Sequence, residues 1–335
     1  MIRKIILSIL LITVVAGVIA GVWLIYEIQT PAQNADKFII DVKANSSAGD
    51  LAVPLKQAGV IRSVLAYKLY ARFSGADKRL ISGQHEIAPH SNISEVFVQL
   101  ESKVNNEREI TVIEGWRLQD IADSLASNGV ISREDFMSAV DISNWRPQYD
   151  FLSDPKIKSL EGFLFPDTYR IYLDAQPKDI IKKMLDNFDH KLTAEMRSRL
   201  TQQNRKLFDA VILASIVERE ALYDEDRAMI ADIFLKRLAN NIGLQSDATI
   251  SYITGKKTTR SSAEDLEIDS PYNTYKYRGL PPGPICNPGL ASLKAAISPQ
   301  SNDYYYFLTD KDGHAHFGRT YAEHQQNIVK YLVNN

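Results

Sequence analysis

A single cysteine, Cys286, in 335 residues excludes an intramolecular disulfide and a zinc site built from thiolates. It leaves the compartment open, because exported proteins without disulfides are common. Nor is there an excess of either charge. Lys and Arg number 39 against 41 Asp and Glu, a net charge of -2, so no global basic field points to nucleic acid. Histidine is scarce: His314 and His316 alternate on a strand pattern, with His324 nearby. Without a fixed acidic partner that spacing favours a hairpin face packed on its domain over a metal site. No Ser-His-Asp constellation, no phosphate-binding glycine loop and no cofactor motif stands out. The chain that remains is 45% hydrophobic, ordinary for a globular protein and long enough for two or three domains.

One long apolar run is present. Arg3 and Lys4 precede Ile5 to Tyr26, which carry no charge; as a helix this run spans roughly 33 Å, about one bilayer core. The two cations before it, with Glu27 and Asp36 after it, orient the amino terminus toward the cytoplasm. A cleaved signal peptide ending at Val18-Ile19-Ala20 is the rival reading. Continuation through Val22-Trp23-Leu24-Ile25, with Trp23 and Tyr26 suited to the interface, favours an uncleaved anchor. Either way the body is expected outside the cytoplasm, after a short linker at Thr30-Pro31-Ala32-Gln33-Asn34.

Residues 38–140 echo themselves at an offset of 70. Ile40-Asp41-Val42 matches Ile110-Thr111-Val112; Asp50, Leu51, Ala52 and Leu55 match Asp120, Ile121, Ala122 and Leu125; Gly59-Val60-Ile61 matches Gly129-Val130-Ile131. The pattern predicts a strand–helix–helix unit used twice. Second helices are expected around Ser63–Phe73 and Arg133–Val140, and Gly83–Ile87 as a returning strand. Such a βααβ unit resembles a LysM-like module, which holds glycan; a plain spacer or docking domain fits the same pattern. From Leu160 the texture changes. An aromatic loop, Leu160–Tyr169, is followed by helices near Pro177–Leu192, Glu195–Asn204, Leu207–Glu220 and Glu225–Asn240. Leu244 to Pro288 reads as mostly loop, Tyr304–Thr309 and His314–Phe317 as a hairpin, and Tyr321–Val333 as a closing helix. The fold class is α+β: a tip and anchor over 1–30, a LysM-like region over 38–155 and a catalytic α+β domain over 156–335.

Chemistry is concentrated where the apolar run Leu207–Val217 ends in Glu218. In a helix Glu218 lies seven residues after Val211 and three after Ser215, so it extends the buried face. Burial against hydrocarbon disfavours the charged form of a carboxyl, and a carboxyl kept protonated near neutral pH suits donation to a leaving-group oxygen. The bland alternative is a structural ion pair with an arginine such as Arg219. The long segment after Leu244 carries Leu244-Gln245-Ser246-Asp247, Ser270-Pro271-Tyr272-Asn273-Thr274-Tyr275 and Gly279-Leu280-Pro281-Pro282-Gly283. Amides, hydroxyls and flat rings on such loops suit sugar recognition.

Taken in order, the anchor, the LysM-like region, the Leu160-Glu161-Gly162…Phe165-Pro166-Asp167-Thr168 loop, the Ala214–Glu218 helix, these later loops and the hairpin resemble the endolytic murein transglycosylases, the MltG/YceG-like family. The Gly162-Phe163-Leu164 segment is less aromatic than the Gly-Trp type expected there. The resemblance implies a lyase that cuts the β-1,4 bond between N-acetylmuramic acid and N-acetylglucosamine. Glu218 would protonate the bridging oxygen and then take the proton of the muramoyl C6 hydroxyl, which attacks C1 and closes a 1,6-anhydro ring. Since the nucleophile belongs to the substrate, a second protein carboxylate is not required. Gln245, Asn273, Tyr272 and Tyr275 would orient N-acetyl groups, and Glu161 and Asp167 would line the cleft or serve plain loop chemistry. Asp247 is either a second carboxylate, which would permit a water-using muramidase, or a turn and cap residue. The partners implied are peptidoglycan strands and penicillin-binding proteins at the inner membrane, with termination of strand elongation as the role. A membrane-tethered scaffold that binds glycan without cutting it is the alternative from another class.

Overall fold

The computed structural model describes residues 2–31, 34, 36–43, 45–102, 107–256 and 261–333, with side chains of the first helix from residue 6 onward. The side chains of Arg3 and Lys4, and Ala32 and Gln33 of the expected linker, lie outside the described residues. The chain forms two compact units, Met1–Arg108 and Glu109–Asn335.

The first unit opens with α1 (Ile2–Gln29). Within its stretch Ile6–Gln29 the most apolar 18-residue window has a mean hydropathy of 2.6 and is not buried by protein, so its apolar surface calls for a non-aqueous surrounding. A membrane anchor and a signal sequence both meet that description. Among its described side chains only those of the last turns meet protein: Leu24 and Ile28 pack on the unit's core, and Glu27 pairs with Arg62 at 3.7 Å. Strand β1 (Phe38–Val42) pairs antiparallel with β2 (Gly83–Ile87), Ile40 opposite His85. Between them run α2 (Ala48–Gln57) and α3 (Val64–Ser74), and α4 (Ile93–Glu101) follows. Local chemistry sets these limits. Ser47 and Asp50 form a capping box at the start of α2, and Gly59 takes a φ of +72° after its end, a conformation cheap for glycine. Period-two alternation turns Ile40, Val42 and Ile87 inward onto Leu51, Leu55, Tyr67 and Phe97.

The second unit begins with the other copy of the echo. Strand β3 (Glu107–Thr111) leads to α5 (Leu118–Ser127) and α6 (Arg133–Ala139), with Gly129 at φ +60° repeating the role of Gly59. Both copies thus fold as strand–helix–helix, one in each unit. In the second, β3 pairs with β4 (Thr168–Tyr172). The helical body holds α7 (Pro177–Lys191), α8 (Ala194–Gln202), α9 (Leu207–Glu220), α10 (Asp224–Ala239) and α13 (Leu290–Ile297). Helix α9 runs through the core, its residues Ala210 to Val217 all buried, against α10 and α13. The segment expected as mostly loop carries two further helices, α11 (Asp247–Thr254) and α12 (Ala263–Leu266). They are too short to show a helical period in sequence, and capping rather than periodicity defines them. The hairpin forms as expected, β5 (Tyr306–Thr309) antiparallel to β6 (Ala315–Gly318). Helix α14 (Tyr321–Ile328) closes the unit and passes into a π-helical turn, Val329–Val333.

Candidate active site

Glu218 lies in the last turn of α9, its side chain only 5% exposed. It pairs with Arg227 rather than Arg219. Arg227 Nη1 donates to Glu218 Oε1 at 3.1 Å, and the backbone N–H of Gly289 donates to Oε2 at 2.8 Å. Arg219 is adjacent in sequence, and neighbours one residue apart do not face each other on a helix; it is exposed. Arg227, in the first turns of α10, is buried and also donates to Asp224 at 2.9 Å and Ser292 at 2.8 Å. The site is therefore assembled from the end of α9, the start of α10 and the start of α13.

Its other wall comes from three loops tied by Asn287. The side chain of Asn287 accepts from the N–H groups of Gly162 (3.0 Å) and Leu164 (2.9 Å). Its amide nitrogen donates to the Trp116 carbonyl at 2.9 Å and to Glu161 Oε1 at 3.2 Å. Gly162 has a φ of +89°, and a Cβ there would stand 2.5 Å from Pro284 and 2.9 Å from Val211; only glycine lets the loops meet. Ser215, buried in α9, receives the N–H of Ile285 at 3.0 Å and fixes the strap that carries Asn287 and Gly289.

Glu161 caps α5: both its oxygens accept from the N–H of Leu118, at 3.1 and 3.2 Å. Burial nevertheless pushes its carboxyl up to about 8, opposed by that N–H and by Arg117. A neutral carboxyl at pH 7 is a hydrogen-bond donor as well as an acceptor. Glu161 lines a cavity of about 430 Å³ together with Arg117, Gln119, Tyr252, Ser270 and Tyr272. Two tyrosine rings, Tyr252 and Tyr272, stand 4.9 Å apart there, and Arg117 stacks on Tyr252 at 4.8 Å. Cys286 is buried, and after burial the charges of Glu218 and then Glu161 hold its thiol up.

The remaining candidates fall into a neighbouring cluster and a loop frame. Asp247 opens α11 behind the N-cap Ser246 and accepts from Ser261 (2.8 Å) and the Tyr275 hydroxyl (3.0 Å). Beside it Ser246 donates to Glu220, whose carboxyl is raised first by burial and then by Asp247. Gln245 takes a φ of +52° and accepts from Arg237 at 3.2 Å. Asn273 is fully buried and spends its amide on the carbonyls of Leu266 and Ile268, both at 2.9 Å. Asp167 accepts from Asn187 at 3.0 Å. The histidines disperse: His314 stacks on Tyr223, His324 on Tyr306, and His316 pairs with Asp310 at 2.7 Å.

Sequence reading missed Arg227, Ser292, Asn287 and Glu114. A carboxylate needing a buried cation pointed to some arginine, but nothing local selected Arg227. Glu114 sits between β3 and α5 in a turn whose Gly115 has a φ of +79°, and a Cβ at Gly115 would stand 3.7 Å from Glu218 Cγ. The Glu-Gly pair was its only signal.

The YceG-like family model matches residues 40–330. The chain belongs to this family. It is 33% identical over 305 residues to an endolytic murein transglycosylase of Bacillus subtilis, covering 88% of this chain and 84% of that protein. An enzyme of the same name from Streptococcus pneumoniae is 27% identical over 89% of this chain, which spans 59% of that longer protein. Among solved structures, a putative YceG-like protein of Listeria monocytogenes superposes with a TM-score of 0.61 at 32% identity, covering 87% of this chain and 99% of that one. The family and the matched span take in every side chain of the site described above.

Proposed function

We propose that the chain is a membrane-anchored endolytic lytic transglycosylase that cuts murein strands and leaves 1,6-anhydromuramoyl ends. The enzyme class follows from the family and from the names of its relatives. The observation that carries the chemistry is Glu218: one nearly buried carboxyl, clamped by Arg227 and the Gly289 N–H, at the end of a core helix. Forming the anhydro ring needs one proton placed on the bridging oxygen and one removed from the C6 hydroxyl, with no water consumed. Glu218 takes the C6 proton, and the oxygen so freed bonds to C1. Glu161, neutral near pH 7, donates to an N-acetyl carbonyl in the adjoining cavity, where Tyr272 and Tyr252 give a sugar ring an apolar wall. Asp247 and Tyr275 form a hydrogen-bonded pair that borders the strand, with Gln245 shaping the loop behind them.

The apolar α1 serves as an uncleaved anchor with the amino terminus in the cytoplasm and the body outside. Residues 38–155 hold glycan in the manner of a LysM-like module. Anchoring near the membrane suits action on newly made strands beside the synthases, and so the termination of strand elongation. Cleavage in ¹⁸O-labelled water separates this reading from hydrolysis. Anhydro ends without label are expected, whereas labelled reducing ends would establish a muramidase. Glycan binding with no cut strand would leave a scaffold.

A further inference from the structure

Both oxygens of Glu218 act as acceptors in the resting site, one toward Arg227 at 3.1 Å and one toward the Gly289 N–H at 2.8 Å. A buried guanidinium and a backbone N–H are partners for a proton acceptor. The bridging oxygen of the glycan needs a proton all the same, and a second carboxyl stands beside the first. The Glu114 carboxyl lies directly over Gly289: a Cβ at that position would collide with Glu114 Oε1, Cδ and Oε2. A Cβ at Gly115, next in the chain, would stand 3.5 Å from the Arg219 side chain and 3.7 Å from Cγ of Glu218. Two carboxyls thus bracket one glycine at the N-terminus of α13, Glu218 on its backbone N–H and Glu114 over its Cα. The groups facing Glu114 are Glu218 of α9, Arg227 and Asp224 of α10, and the Arg219 side chain beside Gly115. Glu114 is exposed as a residue, yet partial burial of its carboxyl, and then the charge of Glu218, raise it above its ordinary value; Arg227 opposes this and Asp224 adds to it.

We propose that Glu114 is the proton donor of this site and Glu218 its base, a division of labour that rests on the transglycosylase reading above. As the C1–O bond breaks, Glu114 gives its proton to the bridging oxygen, which leaves with the bond pair as a hydroxyl. Glu218 takes the C6 hydroxyl proton while O6 bonds to C1. Proton transfer from Glu218 back to Glu114 resets the site, so each turnover consumes neither a proton nor a water. The arrangement is that of two titratable groups with different neighbours taking the two halves of acid–base work.

The test compares the full-length chain in detergent with its Glu114→Gln and Glu218→Gln variants on two probes. One is uncrosslinked glycan strands; the other is a muramoyl disaccharide bearing a 4-nitrophenyl leaving group, which departs without protonation. E114Q is expected to lose about 100-fold or more on glycan, to keep the nitrophenyl reaction within a few-fold, and to lose the alkaline limb of the pH profile. E218Q is expected to lose both reactions. The retained nitrophenyl reaction also reports that E114Q is folded. Should E114Q lose both, Glu114→Asp decides: partial recovery of glycan cleavage supports a proton donor, and none overturns it. Glycan cleavage by E114Q within about threefold of wild type, with an unchanged pH profile, also overturns the assignment. If the wild type yields anhydro ends from neither probe, the transglycosylase reading itself fails and this one falls with it.

Discussion

Replacing Arg227 with methionine tests whether the Glu218 pair is the joint of the site. Arg227 and Glu218 are 7% and 5% exposed, so the substitution strands a carboxylate in the interior. It also leaves the Ser292 hydroxyl without its donor. The third partner, Asp224, is 75% exposed and regains water, so its loss contributes little. Removing one member of a buried pair costs roughly 3–5 kcal/mol. For a unit of this size each kcal/mol lowers the melting temperature by about 2–4 °C, which gives a fall of roughly 6–20 °C for R227M. Neutralising the stranded group should return part of that loss: the R227M/E218Q double variant is expected to melt above R227M. The assay is a double-mutant cycle by thermal unfolding of the detergent-solubilised chain, read together with glycan cleavage. An R227M variant melting within about 2 °C of wild type, or a double variant no more stable than R227M, would refute the reasoning.

Three further outcomes follow from the same geometry. Gly162→Ala meets Pro284 and Val211 in a left-handed backbone conformation; a loss of roughly 2–4 kcal/mol is expected, and a urea midpoint within error of wild type would contradict it. Glu161 has its carboxyl pushed from 4.5 up to about 8. Between those values the folded chain holds a proton that the unfolded chain has released, so stability falls as pH rises from 4.5 to 8, by on the order of 5 kcal/mol. Glu161→Gln should flatten that slope in melting temperature against pH, and an unchanged slope would place the titration elsewhere. Asp247→Asn is expected to slow cleavage by no more than about tenfold, the scale of one hydrogen bond, while the anhydro ends persist. Reducing-end products formed by the wild type and absent with D247N would instead assign Asp247 to a hydrolytic reaction.

The elements most legible in sequence were those whose limits are set locally. Gly59 and Gly129 end their helices in left-handed backbone, Ser47 and Asp50 close a capping box, and Asp310–Gly313 turn the hairpin, so their neighbours alone identify them. Glu218 was legible because nine buried residues precede it on α9 and a helical period carries it onto the same face. Its partners were not. Arg227 reaches it across a helix junction, Gly289 from 71 residues away and Glu114 from a turn before α5. No periodicity links such positions; only packing of α9 against α10 and α13 brings them together. The same reason explains Asn273 and Asn287. Asn273 looked like a sugar-binding amide, but burial directs it to carbonyls of its own loop, whereas Asn287 passed unnoticed because its partners lie on two other loops more than 120 residues away.

The measurement that bears most directly on the account is mass spectrometry of strand ends after uncrosslinked glycan has met the full-length chain or its Glu218→Gln variant. Anhydromuramoyl ends made by the wild type and absent with E218Q are the expected result. Anhydromuramoyl ends made equally by E218Q would contradict it.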